Sequence, residues 1–161
     1  MNDSVDSILQ RFRAAATTFI EAVDSASNLE RSLFLTAICR SLAELYTSAL
    51  YLPSVSPDTS ETDETPFRRE EWSKLFQSLK VKIGPFDSYW ELFDSTEKGD
   101  RVQGSLAGDI SEVYGDLKND LQLDQKEMSR ADLLWELRQS FTAHWGGHAL
   151  SALKAIRDLH L

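Results

Sequence analysis

This sequence predicts an all-α fold, a single-domain helical bundle of about five main helices with a disordered acidic loop in its first half. Three observations predict it. Apolar residues recur at three- and four-residue spacing through five stretches, the pattern of a helix with one buried face. No stretch shows clean alternation with the two-residue period of a half-buried strand, and no internal repeat is present. Pro53 and Gly84-Pro85 fall between periodic stretches, where a chain leaves a helix. At 161 residues, one domain spanning residues 1–161 buries roughly 68–70% of its unfolded surface.

The first helix spans residues 4–25. Val5, Ile8, Leu9, Phe12, Ala15, Ala16, Phe19 and Val23 form its stripe, with Asp3 or Ser4 as cap. Ser27-Asn28-Leu29-Glu30 is a capping-box pattern and places the second helix from there to about Leu52. Its stripe (Phe34, Ile38, Leu42, Leu45, Ala49) is widened by Leu35, Cys39, Tyr46 and Leu50, as expected of a central helix packed on more than one side. Residues 53–66 hold four acids, no base and almost nothing to bury, so they read as a flexible acidic loop. The third helix, from about Arg68 to Lys82, turns Trp72, Leu75, Phe76 and Leu79 to one side.

Phe86, Tyr89, Trp90, Leu92 and Phe93 form the densest aromatic patch and are expected in a short helical segment closing one end of the bundle. A polar loop over residues 94–104 follows. The fourth helix carries Leu106, Ile110, Val113, Tyr114, Leu117 and Leu121, and the fifth runs from a cap at Ser129 to about Leu159.

Charge narrows the functions. The net charge is −9, of which residues 53–66 carry −4 and residues 104–128 another −4. That balance opposes nucleic-acid binding, which needs basic groups to displace counterions. A basic patch has only Arg68, Arg69, Lys74, Lys80 and Lys82 to draw on, and these read as a solvated helix face. No apolar run approaches the roughly 20 residues of a membrane span. The acidic, polar start (Met1 to Asp6) lacks the pattern of a secretory leader, and Cys39 is the single cysteine. A cytoplasmic location is the expectation. Cys39, on a core-facing arc without an activating neighbour, reads as an inert thiol.

The chemistry-bearing residues gather on two helices. At 100° per residue and with Leu106 at 0°, Asp120, Asp109 and Asp116 fall near about −40°, −60° and −80°, along one edge of the fourth helix's apolar stripe, with Glu112 at about −120°. With Leu133 at 0°, His144 and His148 fall at about 20° and 60°, inside the apolar sector of the fifth helix, and Trp145 lies at its edge near about 120°. Two imidazoles at i and i+4 share one face. On such a face an imidazole needs a partner, which Asp109, Glu112 or Asp116 can supply. Gly146 and Gly147 each cost roughly 1 kcal/mol against alanine in a helix interior, which close approach of another backbone or room for a ligand would explain.

The sequence also contains Leu-Tyr-x-x-Ala-Leu-x-Leu-Pro (Leu45 to Pro53), Tyr89-Trp90-x-x-Phe93-Asp94, Asp109-Ile110-x-x-Val113-Tyr114-x-Asp116-Leu117 and His144-Trp145-Gly146-x-His148. In this order the elements resemble the bacterial family labelled domain of unknown function 5063, over nearly the whole chain. The resemblance implies a stand-alone, mostly helical bacterial protein and supports the acidic and histidine elements as its site. It implies no activity, because the family has none assigned. Gly108, where a second acid commonly precedes Asp109, and Ser95, in place of a proline after Asp94, depart from the family pattern. The first departure weakens a paired-carboxylate metal site.

Two functions remain open. One is a small cytosolic binding or interaction module for a protein or small-molecule partner. Its polar cluster of Asp109, Glu112, Asp116, His144 and His148 would order the bundle or a shallow pocket, with Phe86, Tyr89, Trp90, Phe93 and Trp145 as candidate interaction aromatics. The other is a metal-dependent, hydrolase-like enzyme in which His144, His148 and Asp109 hold a divalent metal and Asp109 or Asp116 serves as ligand or base. The His-x-x-x-His spacing lacks the intervening glutamate of a zinc-protease helix, because Trp145 stands there. No other cofactor is indicated, and neither substrate nor oligomeric state is readable.

Overall fold

In the computed structural model, residues 4–59, 69–92, 100–123 and 126–161 are described. The first helix, α1 (Val5–Asp24), begins where Ser4 accepts a hydrogen bond from the Ser7 N–H at 3.2 Å. It buries Leu9, Phe12, Ala16, Phe19, Ile20 and Val23. A 3₁₀ turn (Ala26–Asn28) then delivers the chain to α2 (Arg31–Leu50), which follows Glu30 with no side-chain cap. The capping box at Ser27 therefore does not start the helix, because Ser27 and Asn28 lie in the 3₁₀ turn and the helix begins only after Glu30.

As its broad apolar arc requires, α2 is central and packs against α1, α3 and the last helix. By length and mean hydropathy (1.2) it matches a membrane-crossing helix. In the fold its Phe34, Leu35, Ile38, Leu42, Leu45 and Ala49 are the floor of the core.

Residues 53–59 run irregularly along α5 (Arg130–Ser140) and are tied to it. Asp132 Oδ1 accepts the Asp58 and Thr59 N–H groups at 2.7 and 3.0 Å, and Arg138 donates to the Leu52 carbonyl. These bonds hold the Asp132 carboxyl below the usual carboxylate range, with the Thr59 N–H the largest cause. This half of the expected flexible loop is thus anchored, and the remainder, residues 60–66, lies outside the described residues.

The helix α3 (Arg69–Ile83) packs on α4 (Leu106–Leu123). Between them the structure departs from the all-helical expectation. A 3₁₀ turn (Gly84–Phe86) leads into β1 (Ser88–Leu92), which pairs antiparallel with β2 (Arg101–Ser105), Tyr89 opposite Gly104 and Glu91 opposite Val102. The aromatic segment is a strand and not a helical plug, and the end of the expected polar loop is its partner. Phe93 and Asp94 fall outside the described residues. The fifth helix is not uniform either. The helix α5 starts with Ser129 accepting the Asp132 N–H at 3.1 Å, widens into a π segment (Phe141–Trp145) and continues as α6 (Gly146–Asp158). Counted as one rod, α5 to α6 gives, among the described residues, five helices and a small hairpin around one core.

Candidate functional site

The π segment decides what faces α4. A π turn holds one extra residue, so everything beyond it is rotated by about 100° against an uninterrupted helix. Trp145 consequently moves from the edge of the stripe to its centre, where it is fully buried against Phe12 and Phe141. The same rotation carries His144 and His148 out of the core-facing sector to its margin. Their side chains are 49% and 34% exposed. Trp145 is a core residue and offers no surface to a partner.

Gly146 belongs to this device. Its N–H reaches the Phe141 carbonyl, five residues back, and a Cβ there would lie 2.6 Å from that same oxygen and 2.8 Å from the Phe141 ring. The glycine is required by the widened turn of its own helix and not by a neighbouring backbone. Gly147 has nothing within 4 Å of a Cβ position.

At the margin, each histidine meets a carboxylate from α4. His144 Nδ1 lies 2.6 Å from Asp116 Oδ2, and His148 Nδ1 lies 2.8 Å from Asp109 Oδ1. The two rings are edge to face with centres 5.0 Å apart. The two pairs differ in depth. Asp109 is buried, and its second oxygen accepts the hydroxyl proton of Tyr89 on β1, so three elements meet at one carboxylate. The His144–Asp116 pair is open to solvent. The hydrogen bond that His148 donates to Asp109 raises the His148 pKa, and the charges of Asp109, Glu112 and Asp116 add to it against the opposing effect of burial. Burial and the Asp109 carboxylate push the Tyr89 phenol far above its ordinary value, so it stays a donor. Glu112 makes no hydrogen bond to either imidazole among those formed, and acts on His148 through its charge.

The hairpin that brings Tyr89 here is fastened at its base. Asp87 accepts the Ala107 N–H at 2.8 Å and the Ser105 hydroxyl at 3.0 Å, its carbonyl accepts the Leu106 N–H, and Ser105 Oγ accepts the Gly108 N–H at 3.1 Å. Three N–H groups that open α4 are satisfied in this way. Gly104 clears the space for Tyr89, since a Cβ there would fall 2.3 Å from the phenol ring. Further along, Ser151 of α6 donates to Glu91 of β1 at 2.9 Å. Neither Ser151 nor Glu91 was visible as part of this cluster in the sequence, where no spacing links them.

One group behind the site is deeply buried. Asp120 is 4% exposed, and burial, followed by the charge of Asp116, pushes its carboxyl well above the usual range. The Ser140 hydroxyl and the Trp145 indole N–H face this carboxyl and offset part of that rise. The remaining candidates lie elsewhere. Trp90 (63% exposed) and Phe86 are at the surface of the hairpin and its lead-in turn. Cys39 is half-buried against the core. An open groove of about 520 Å³ between α1 and α2 is lined by Arg11, Ala14, Ala43, Glu44, Thr47 and Tyr51 among others, with the Arg11 guanidinium over the Tyr51 ring.

This geometry has two consequences for metal chemistry. Both oxygens of Asp109 are engaged, by His148 and Tyr89, so it stands behind the imidazole and not beside it. Among the described residues, no group of three or more His, Cys, Asp or Glu side chains is arranged to hold a metal ion.

Residues 3–161 match the family described as a domain of unknown function (DUF5063). The chain belongs to that family. Its fold is also that of a solved structure, protein BF1032 from Bacteroides fragilis, at a TM-score of 0.80 and 22% identity, covering 97% of this chain and 94% of the other. At that identity the likeness speaks for the fold alone. No curated protein matches the sequence. Within this DUF5063 chain, the segment Asp109 to Asp116 and the segment His144 to His148 are the two that meet.

Proposed function

We propose that this DUF5063 protein is a small cytoplasmic binding module whose contact face is the α4–α6 junction, with His144 and His148 as the groups that meet the ligand. One observation carries the reading. Each imidazole is held through Nδ1 by a carboxylate of α4, and among the described residues no protein group engages either Nε2. A histidine that only closed a structural network would be expected deeper and satisfied on both sides. Here two oriented, solvent-reaching imidazole edges stand one helical turn apart, and Tyr89 and Ser151 lock the hairpin beside them. The partner is a small molecule or protein with a polar group for these edges. The net charge of −9 speaks against nucleic acid.

The alternative, a metal-dependent hydrolase, draws on the same residues but lacks a third convergent protein ligand. Binding is the better supported of the two. The test is a screen of small polar compounds read by NMR on the imidazole Cε1–H signals. Ligands of this face move the His144 and His148 signals, leave His160 in place, and lose their effect in the His144→Ala/His148→Ala double variant. Compounds that bind yet gather in the α1–α2 groove would place the binding function there instead.

A further inference from the structure

We infer that this face meets its partner through a divalent transition-metal ion, held jointly by Nε2 of His144 and Nε2 of His148. The inference rests on the proposed binding face and names what links it to its partner. A metal-bound histidine almost always donates its other ring N–H to a carboxylate, a carbonyl or water, which fixes the tautomer and makes the ligating nitrogen more basic. Asp116 and Asp109 stand in that place, at 2.6 and 2.8 Å from the two Nδ1 atoms. With the proton on Nδ1, the lone pair is on Nε2.

The spacing fits. Zn–N bonds of about 2.0–2.1 Å at a tetrahedral angle put the centres of two imidazole rings about 5 Å apart. The centres of His144 and His148 are 5.0 Å apart. The surroundings favour a cation: the carboxylates of Asp109, Glu112 and Asp116 all act on His148. Imidazole nitrogens select zinc, copper or nickel over magnesium or calcium, which prefer oxygen. Two protein ligands leave the other coordination positions to water or to a donor atom from a partner. That is a binding site and not an enclosed structural one.

The experiment titrates Zn²⁺ into the metal-free full-length chain by calorimetry, with ¹⁵N NMR of the imidazoles in parallel. Expected are one saturable ion per chain, shifts of the Nε2 resonances of His144 and His148 with His160 unmoved, and no response to Mg²⁺. His144→Ala or His148→Ala abolishes saturable binding. Asp109→Asn or Asp116→Asn weakens it about 10–100-fold. Absence of saturable binding, binding that survives in the double alanine variant, or shifts at His160 alone overturns the inference. Should an alanine variant fail to fold, the wild-type NMR arm still decides, because it reads which imidazoles the ion touches. If Zn²⁺ fails while polar compounds still move the two histidines, only the metal falls. If both fail, the binding face falls with it.

Discussion

Along α1 and α2, Thr18, Ser41, Thr47 and Ser48 return their hydroxyls to carbonyls of their own helices at 2.7–3.2 Å. Between α4 and the α5–α6 rod, Ser111 and Thr142 also bond to their own helices, but the charged and aromatic polar groups do the reverse. Asp109, Asp116, Tyr89, Ser151 and Glu91 all bond from one element to another. A hydroxyl bonded to its own helix says nothing about where the neighbour sits, so the α1–α2 contact is held by Phe12, Phe19, Phe34, Leu35 and their apolar neighbours. A carboxylate bonded to an imidazole on another helix fixes register and orientation. It also leaves one edge of that imidazole available. The first region supplies stability, and the second gives a particular set of groups a particular geometry.

The largest break in this contrast is a truncation in the first region. Phe12→Ala removes a fully buried ring packed against Trp145 and is expected to cost about 3–5 kcal/mol in urea unfolding. A loss below about 1 kcal/mol would mean that the apolar half is not what holds the bundle. Next come the paired glycines. Gly146→Ala drives a methyl into the Phe141 carbonyl and should destabilise by about 1–3 kcal/mol. Gly147→Ala, exposed, helical and unobstructed, should stabilise by up to about 1 kcal/mol. Opposite signs at adjacent positions are the mark of the π turn, and equal effects would remove it.

Smaller still, Tyr89→Phe deletes the hydroxyl on Asp109. It is expected to cost about 1 kcal/mol and to speed hydrogen exchange in β1 while α1 and α2 are unchanged. The smallest effect is on pH dependence. The folded pKa of His148 lies above its unfolded value of about 6.5, so folding takes up a proton there. The stabilisation is complete below about pH 6.5 and is lost as pH rises through the folded value. Because the ring is partly exposed it amounts to a few tenths of a kcal/mol. The Tm advantage of wild type over His148→Gln should narrow as pH is raised from about 6, and a widening gap would contradict the sign.

Periodicity in the sequence was enough for α1, α2 and α4, and for the Ser4 and Ser129 caps, because each has a clean apolar stripe. The hairpin escaped because its alternation is inverted. The half-buried face of β1 presents Tyr89 and Glu91, while Ser88, Trp90 and Leu92 face out. A strand whose outer face is the more apolar one reads as an aromatic cluster. The carboxylate edge of α4 was readable for Asp109 and Asp116, because that helix is regular, whereas Asp120 on the same edge lies buried behind the site. The histidine face was not, because an uninterrupted wheel cannot carry a phase slip. The slip does leave a trace: Leu133, Leu137 and Phe141 fall at about 0–80°, whereas Ala149, Ala152 and Ile156 fall at about 100–160°. Alanines bury too little to make that displacement stand out. The partners supplied by Tyr89, Ser151 and Glu91 come from hairpin packing, which no local pattern encodes.

The central claim is that Asp116 and Asp109 hold the two imidazoles through Nδ1 and leave Nε2 open. Long-range ¹H–¹⁵N correlation of the histidine rings, recorded in alkaline buffer, tests it directly. The prediction is a protonated Nδ1 and a bare Nε2 at both His144 and His148, with Asp109→Asn and Asp116→Asn each releasing its own histidine to the mixture of tautomers seen for a free imidazole. Nε2-protonated rings in the wild type, or tautomers indifferent to the two aspartate substitutions, would contradict it.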